Sequence, residues 1–554
     1  MLPCLGHGLT LLSGGRRDLP ARQQTLRNAI AWSYDLLPEA EQRLFRHLSV
    51  FVGGFTLEAA EAVCKGDPTG SSGHALGIDL LDEVGSLVDN SLIRPEEVLG
   101  GEPRFRMLET IREYGLEQLG TAGEETTIRR RHLSWLADLA ERGQPEIFGP
   151  NGAEWVDRLA SELDNLRAAL AWSLTDPMST SVQAGLRMAG ALQQLWFYRD
   201  RLTEGQRWLE QTLAVDQARR RQTETILPVA RRGAFGAHPR VVALNGLSVL
   251  RLHQGEREQG ALAAGEALAL ARNVQDRLGE AHALSTLGNV ARGSGEFERS
   301  ATLHEESLAI FRSFDDPFGI WRALVNLGST LGRLGDGERE NRVLEESLAV
   351  ARAMGDAWGI ALTLRQLSGI AYRHGDLDRA TALLEESLVW WAKLRATRGR
   401  HWSLWELGQI VLTRGELQPA AAYFRESLML CREAGDRPGI ARCLEGLAAA
   451  AAVTTSESVT WSIRAAQLLG SAASVREALS PPVLPSDGPT VERAVVAARA
   501  RLGEEAYASA WAEGRDMPLD RAIEHALEVV NEGRAAVSEP APHHAQNAAH
   551  GSVS

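Results

Sequence analysis

Between residues 241 and 440 the apolar positions follow one pattern copied at a fixed interval. Leu247, Leu287, Leu327, Leu367 and Leu407 lie 40 apart, and Gly255, Gly295, Gly335, Gly375 and Gly415 each follow eight residues later. Leu268, Leu308, Leu348, Leu388 and Leu428 close the second half of each copy. Glu-Glu-Ser-Leu recurs there from Glu305, Glu345 and Glu385, with Arg425-Glu426-Ser427-Leu428 as a fourth version. A period in this range predicts a solenoid of helical units, each too small to bury its apolar face alone. Within 361–400, Leu364, Leu367, Ile370 and Ala371 recur three and four apart and share one helix face. His374-Gly375-Asp376 interrupts the run, the glycine supplying the backbone freedom of a tight turn. A second helix follows through Ala380, Leu383, Leu384, Ser387 and Leu388, where Ala380 and Ser387 allow a close approach to the first.

This unit resembles the tetratricopeptide repeat: Leu367-Ser368, Gly375, Ala380, Leu384 and Ser387 occupy that repeat's characteristic places. Its aromatic place holds Ala371, with Tyr372 one residue late. The common form repeats every ~34 residues, so the longer period predicts helices extended by about a turn per pair.

Upstream, the pattern from Gln24 is helical through Leu26, Ile30, Ser33 and Tyr34 and stops at Pro38. A second helix covers Glu41–Leu48, a third passes through Ala59, Ala60 and Val63, and a fourth through Leu80, Val84, Leu87 and Val88. Two strand-like pieces, Ser91–Arg94 and Arg104–Leu108, then make a hairpin, and Ile111–Leu116 returns to helix. Helices followed by a two-stranded hairpin predict a winged helix. The fold class expected is therefore all-α, a winged helix with a small β-hairpin followed by a tetratricopeptide-like solenoid. The expected domains are a linker or remnant at 1–22, the winged helix at 23–122 and a helical connector with a degenerate repeat at 123–238. The solenoid at 239–470, capping helices at 471–530 and a disordered tail at 531–554 complete the chain. Residues 217–238, rich in Arg, Thr and Gly, read as a loop.

Composition narrows the possibilities. Hydrophobic content of 44% and charged content of 24% are those of a soluble globular protein. A net charge of -13 argues against a sequence-independent grip on nucleic acid. Cys4, Cys64, Cys431 and Cys443 form no CxxC pair and fit a reducing cytoplasm, the expected location. No apolar run reaches the ~18 residues of a membrane span.

The segments Leu26–Cys64, Leu80–Ile93 and Phe105–Leu119 together resemble the winged-helix part of bacterial STAND regulators. These are signal-transduction ATPases, often called LuxR-like or AfsR-like transcriptional regulators. The resemblance covers roughly residues 9 to 530. It implies a nucleotide-binding domain before the winged helix, a tetratricopeptide sensor after it, and autoinhibition released by a ligand. The nucleotide site needs GxxxxGK[ST]. The only lysines, Lys65 and Lys393, lie in Cys64-Lys65-Gly66 and Ala392-Lys393-Leu394, and neither completes it. The reading is thus of a regulatory and sensor part without its nucleotide-binding domain, truncated or acting as a separate chain. No cofactor is expected, and ATP only if that domain is supplied.

No HExxH, GxSxG or Cys/His ligand set is present, and the 14 histidines are scattered, so neither an enzyme nor a metal site is expected. Solenoid geometry places a binding face along each unit's first helix. The register assigns to it Asn245, Asn289, Arg322, Arg365, Trp402, Trp405, Gln409 and Arg442, with Trp402 and Trp405 favoured because tryptophan dominates interface energetics. The expected occupant is a protein, a peptide or a small effector, with an ATPase domain in trans and homo-oligomerisation on activation as further partners. The alternatives are a transcription factor using its own winged helix, or a fragment of an ATP-hydrolysing regulator whose P-loop domain lies upstream. Direct DNA contact is disfavoured, because Asp79–Asp89, in the recognition-helix position, carries acids and no base. Arg94, Arg104 and Arg106 on the wing are the DNA-contact candidates.

Overall fold

The structure is a computed structural model that describes residues 26–64, 80–96, 102–223, 238–394, 399–452, 459–479 and 488–537. The expected linker at 1–22 and Lys65 lie outside the described residues. The chain divides into two compact units, 1–343 with 353–356, and 344–352 with 357–554.

The first unit opens with the winged helix. Its elements are α1 (Leu26–Asp35), α2 (Glu39–Leu48), β1 (Phe55–Thr56), α3 (Leu57–Cys64), α4 (Leu80–Asp89), β2 (Arg94–Glu96), β3 (Arg104–Arg106) and α5 (Glu109–Thr121). The sheet has three strands in the order β1-β3-β2 rather than the expected two, since Phe55 pairs with Phe105 and Thr56 with Arg104. β1 escapes a sequence reading because two residues carry no alternation. Tyr34, Phe45, Phe51, Phe55, Val84, Leu87 and Ile111 fill the core.

The connector follows as α6 (Glu125–Glu146), α7 (Gly152–Ser161), α8 (Leu163–Thr175), α9 (Ser179–Ala191), α10 (Gln193–Tyr198) and α11 (Leu202–Thr223). Because α11 runs to Thr223, residues 217–223 are helix, not loop; 224–237 lie outside the described residues. The winged helix, the connector and the first repeat bury their apolar side chains in one contiguous cluster. The boundary between 122 and 123 is therefore not an energetic one. Phe51 of the winged helix packs edge-on against His132 at 4.9 Å and lies 6.4 Å from Trp135, both on α6.

Polar groups lock the same junction. Asn165 accepts from the Val52 and Gly53 amides at 2.7 and 3.2 Å and donates to the Gly54 carbonyl at 2.8 Å. It also donates to Glu162 at 2.6 Å, and Glu162 pairs with Arg104 of β3. One fully buried amide thus satisfies three backbone groups of a turn that has no ladder of its own.

Repeats of the first unit are α12 (Pro239–His253) with α13 (Arg257–Asn273), α14 (Arg277–Gly293) with α15 (Phe297–Ser313), and α16 (Pro317–Leu334). The unit division falls within α17 (Gly337–Met354). The second unit holds α18 (Ala357–Arg373), α19 (Leu377–Lys393), α20 (Arg400–Thr413), α21 (Leu417–Ala434), α22 (Arg437–Ala452) and α23 (Val459–Leu479), then α24 (Gly488–Leu502), α25 (Glu504–Arg515) and α26 (Leu519–Val537). The repeated leucines are buried or half-buried, and the turn glycines 255, 295, 335, 375 and 415 all have φ between 77° and 84°, where a β-carbon is strained. Ser307, Ser387 and Ser427 each donate to a first-helix carbonyl at 2.8 Å, from Ala281, Ala361 and His401. A serine in this register joins the two helices of a pair at close range. The break placed after residue 470 falls inside α23, and α26 runs to Val537, past the expected start of the tail at 531.

Candidate functional site

Along each first helix the residue 40 places on occupies the same position. Val242, His282 and Arg322 form one such series in the first unit, and Asn245 lies one turn further along α12. They line a cavity of about 70 Å3 with Phe148, Phe318, Gln144, Gln193, Gln194 and Thr286. Gln144 lies in the last turn of α6 and Phe148 just beyond its end, so the connector supplies one wall and the repeats the other. Phe148 stacks on Phe318 with centroids 3.6 Å apart.

The guanidinium of Arg322 sits 5.4 Å from the centre of the Phe318 ring and 5.8 Å from that of Phe311. It donates to Nδ1 of His282, which puts the imidazole proton on Nε2. Burial holds His282 well below its ordinary range, with Arg322 adding to the effect, so the ring is neutral. No carboxylate within ion-pair distance of Arg322 is found among the described residues. Desolvation lowers the guanidinium to about 10, against a smaller opposing pull from Asp316, which is already capping α16 through the Gly319 amide at 3.1 Å. The Nε–H of Arg322 makes no hydrogen bond, and neither does Asn245 Oδ1, whose amide nitrogen donates to the Gly279 carbonyl at 3.1 Å. The cavity lining therefore includes two residues that each hold a buried polar atom without a partner, Arg322 Nε and Asn245 Oδ1, beside an aromatic wall. Asn289, also in the predicted set, is half-buried and receives Arg292 at 3.1 Å instead.

The candidates of the second unit are engaged with one another. Arg365 pairs with Glu406 at 2.6 Å. Trp402 lies under Arg442 at 3.4 Å, with Arg365 5.6 Å from its centre. Trp405 is core, 8% exposed, and its indole donates to the Arg442 carbonyl at 3.3 Å. Gln409 accepts from Thr490 at 2.9 Å. Trp405 is thereby taken up in packing, while Trp402 is half-buried beneath Arg442.

On the wing, Arg94 and Arg106 are exposed, Arg106 paired with Glu96 at 3.2 Å. Arg104 is a correction to the predicted set. It is 7% exposed and bound to Glu162, which removes it from any polyanion's reach. Its strand is three residues long, too short for alternation to show which face is inward. Helix α4 carries Asp82, Glu83 and Asp89 and no base, with Glu83 buried.

One constellation escaped the sequence reading. His401 on α20, Cys431 on α21 and Asp436 in the following turn bring a ring nitrogen, a thiol and a carboxylate oxygen within 4.8 Å of one another. Separations of 30 and five residues match no local motif, and only the repeat register would have aligned them.

Among known proteins, a winged helix-turn-helix domain model matches residues 37–120. A Mycobacterium tuberculosis H37Rv protein, named provisionally as an HTH-type transcriptional regulator, is 36% identical over 285 residues, 50% of this chain and 29% of its own length. An uncharacterized protein of the same strain is 31% identical over 138 residues, 24% of this chain and 33% of that protein. The crystal structure of a STAND protein with a tetratricopeptide repeat sensor from Pyrococcus horikoshii aligns with a TM-score of 0.51 at 13% identity, covering 96% of this chain and 69% of that one, a likeness of fold. The chain thus carries a winged helix-turn-helix domain and a tetratricopeptide-like solenoid, is homologous to HTH-type transcriptional regulators, and spans 29–33% of the curated relatives it matches.

Proposed function

We propose that this chain is the regulatory and sensor part of a STAND-type transcriptional regulator, and that its effector is an organic carboxylate taken up in the Arg322 cavity. The observation that carries the reading is the buried Arg322 guanidinium with no acidic partner among the described residues. A buried cation without a counter-charge is costly, and a carboxylate ligand is the cheapest repair. The free Oδ1 of Asn245 asks the same ligand for an N–H or O–H donor. An amino acid or N-acyl amino acid, free or at a peptide's C-terminus, offers both, and the Phe148–Phe318 pair suits an apolar side chain beside them. Helix α6 runs from this cavity to Phe51 of the winged helix, giving the occupied state a direct route to it.

Reading DNA through α4 is disfavoured by its charge. The winged helix acts in this proposal as a relay toward a nucleotide-binding domain carried elsewhere. The test is differential scanning fluorimetry of the full chain against free and N-acetylated amino acids at millimolar concentration. A ligand at 100 times its Kd adds roughly 2.7 kcal/mol to the folded state, so at least one compound should raise Tm, and Arg322→Met should abolish the rise. A flat panel, or a shift that survives in the variant, would remove the site. C-terminally free and amidated peptides distinguish a peptide end from a free acid.

A further inference from the structure

Alignment of the repeats on their own period exposes two departures at one place. The register of His401 holds Val241, Ala281, Trp321 and Ala361 in the other copies, and that of Cys431 holds Ala271, Phe311, Ala351 and Trp391. Both positions are otherwise apolar. The third member recurs in three of the four other copies: Asp276, Asp316 and Asp356 stand where Asp436 does, and Ala396 takes the place in the remaining one. Asp276, Asp316 and Asp436 cap the next helix by accepting from the glycine three residues on. Asp436 spends Oδ1 on that bond at 3.1 Å and turns Oδ2 toward His401 Nε2, 3.2 Å away.

His401 is 4% exposed and neither ring nitrogen makes a well-directed hydrogen bond. Cys431 is fully buried, and Asp436 opens the group to solvent with its side chain 26% exposed. An imidazole, a thiol and a carboxylate converging within 4.8 Å are the donor types of a tetrahedral zinc centre, whose ligand atoms stand ~3.3–3.8 Å apart at the usual metal–ligand lengths. The turn between α21 and α22 closes that gap with a small shift.

We propose that His401, Cys431 and Asp436 form a zinc site that clips α20 and α21 to the start of α22. The thiol proton passes to solvent as the sulfur–zinc bond forms, so one proton is released per metal bound and acid weakens the site. The fourth position lies on the Asp436 side, where water can enter.

The test is a titration of the full, EDTA-treated and desalted chain with Co2+, followed by thiolate-to-cobalt charge-transfer absorption and competition with Zn2+. The expected result is a band that saturates at one equivalent and is displaced by zinc. It should vanish in Cys431→Ala and His401→Ala and weaken at least tenfold in Asp436→Asn. Alanine occurs singly at each position in sister copies, as Ala281 and Ala361 or as Ala271 and Ala351, so each single variant should keep the wild-type fold, checked by circular dichroism. Absence of the band in the wild-type chain, or its persistence in Cys431→Ala, overturns the proposal.

Discussion

Arg322 and Arg442 occupy the same register position, three periods apart, one in each unit, and have opposite fates. Arg442 lies 3.4 Å over Trp402 among residues that include the Arg365–Glu406 and Arg476–Glu445 pairs. Arg322 faces two phenylalanines and a neutral histidine. The repeat dictates where the side chain goes. Neighbouring copies decide whether its charge is absorbed into the structure or left for a ligand. A tetratricopeptide register therefore identifies candidates, and counting counter-charges separates the available from the spent.

The contrast breaks most visibly when a cation is removed from each setting. Arg476→Leu strands Glu445, whose side chain is 9% exposed, and should cost about 3–5 kcal/mol in urea unfolding. Arg104→Leu, which strands Glu162 at the winged-helix junction, should cost as much. Equal, small effects for both would show that these pairs are not the structural type.

A second test uses acidity. Burial holds His47 at about 4, and His132 and His304 at about 3, all in the first unit. Their unfolded value is ~6.5, so the unfolded chain binds more protons below that pH. Stability should be complete above pH 6.5 and fall as pH drops toward the native values. His304→Leu, the residue present at Leu344 and Leu384 in sister copies, should recover roughly 2 kcal/mol of that loss at pH 5. An unchanged slope in thermal melts at pH 5 and 7 would refute its share.

Arg322→Met, by contrast, should leave stability within about 1 kcal/mol of wild type or raise it, since it removes an uncompensated buried charge. A loss above about 3 kcal/mol would place Arg322 in the same class as Arg476. The smallest expected effect is Thr490→Val, about 1 kcal/mol for one buried hydrogen bond to Gln409.

The repeat was legible because glycine is nearly alone in adopting the positive φ of Gly255 and its counterparts, and because each copy needs its leucines on one face. The winged helix was legible from helix spacing, though β1 was not. Arg322 and Asn245 were reachable through the register, but not their unused atoms, which depend on side chains from α6 and α14. Arg104 was misplaced for the same reason: Glu162, which holds it, lies 58 residues away. His401, Cys431 and Asp436 looked ordinary singly and become a group only through helix pairing.

Helix α6 gives the first unit a lever arm. It has 22 residues, with His132 and Trp135 against Phe51 near its middle and Gln144 in the cavity wall in its last turn, about 18 Å from His132 at 1.5 Å per residue. Rotating a rod of that length by 5° displaces its far end by about 1.6 Å, roughly half the length of a hydrogen bond. The Arg104–Glu162–Asn165 group ties the winged helix to the start of α8, a second attachment beside that of Phe51 to α6. A carboxylate bound at the proposed site would act on the winged helix through this one helix.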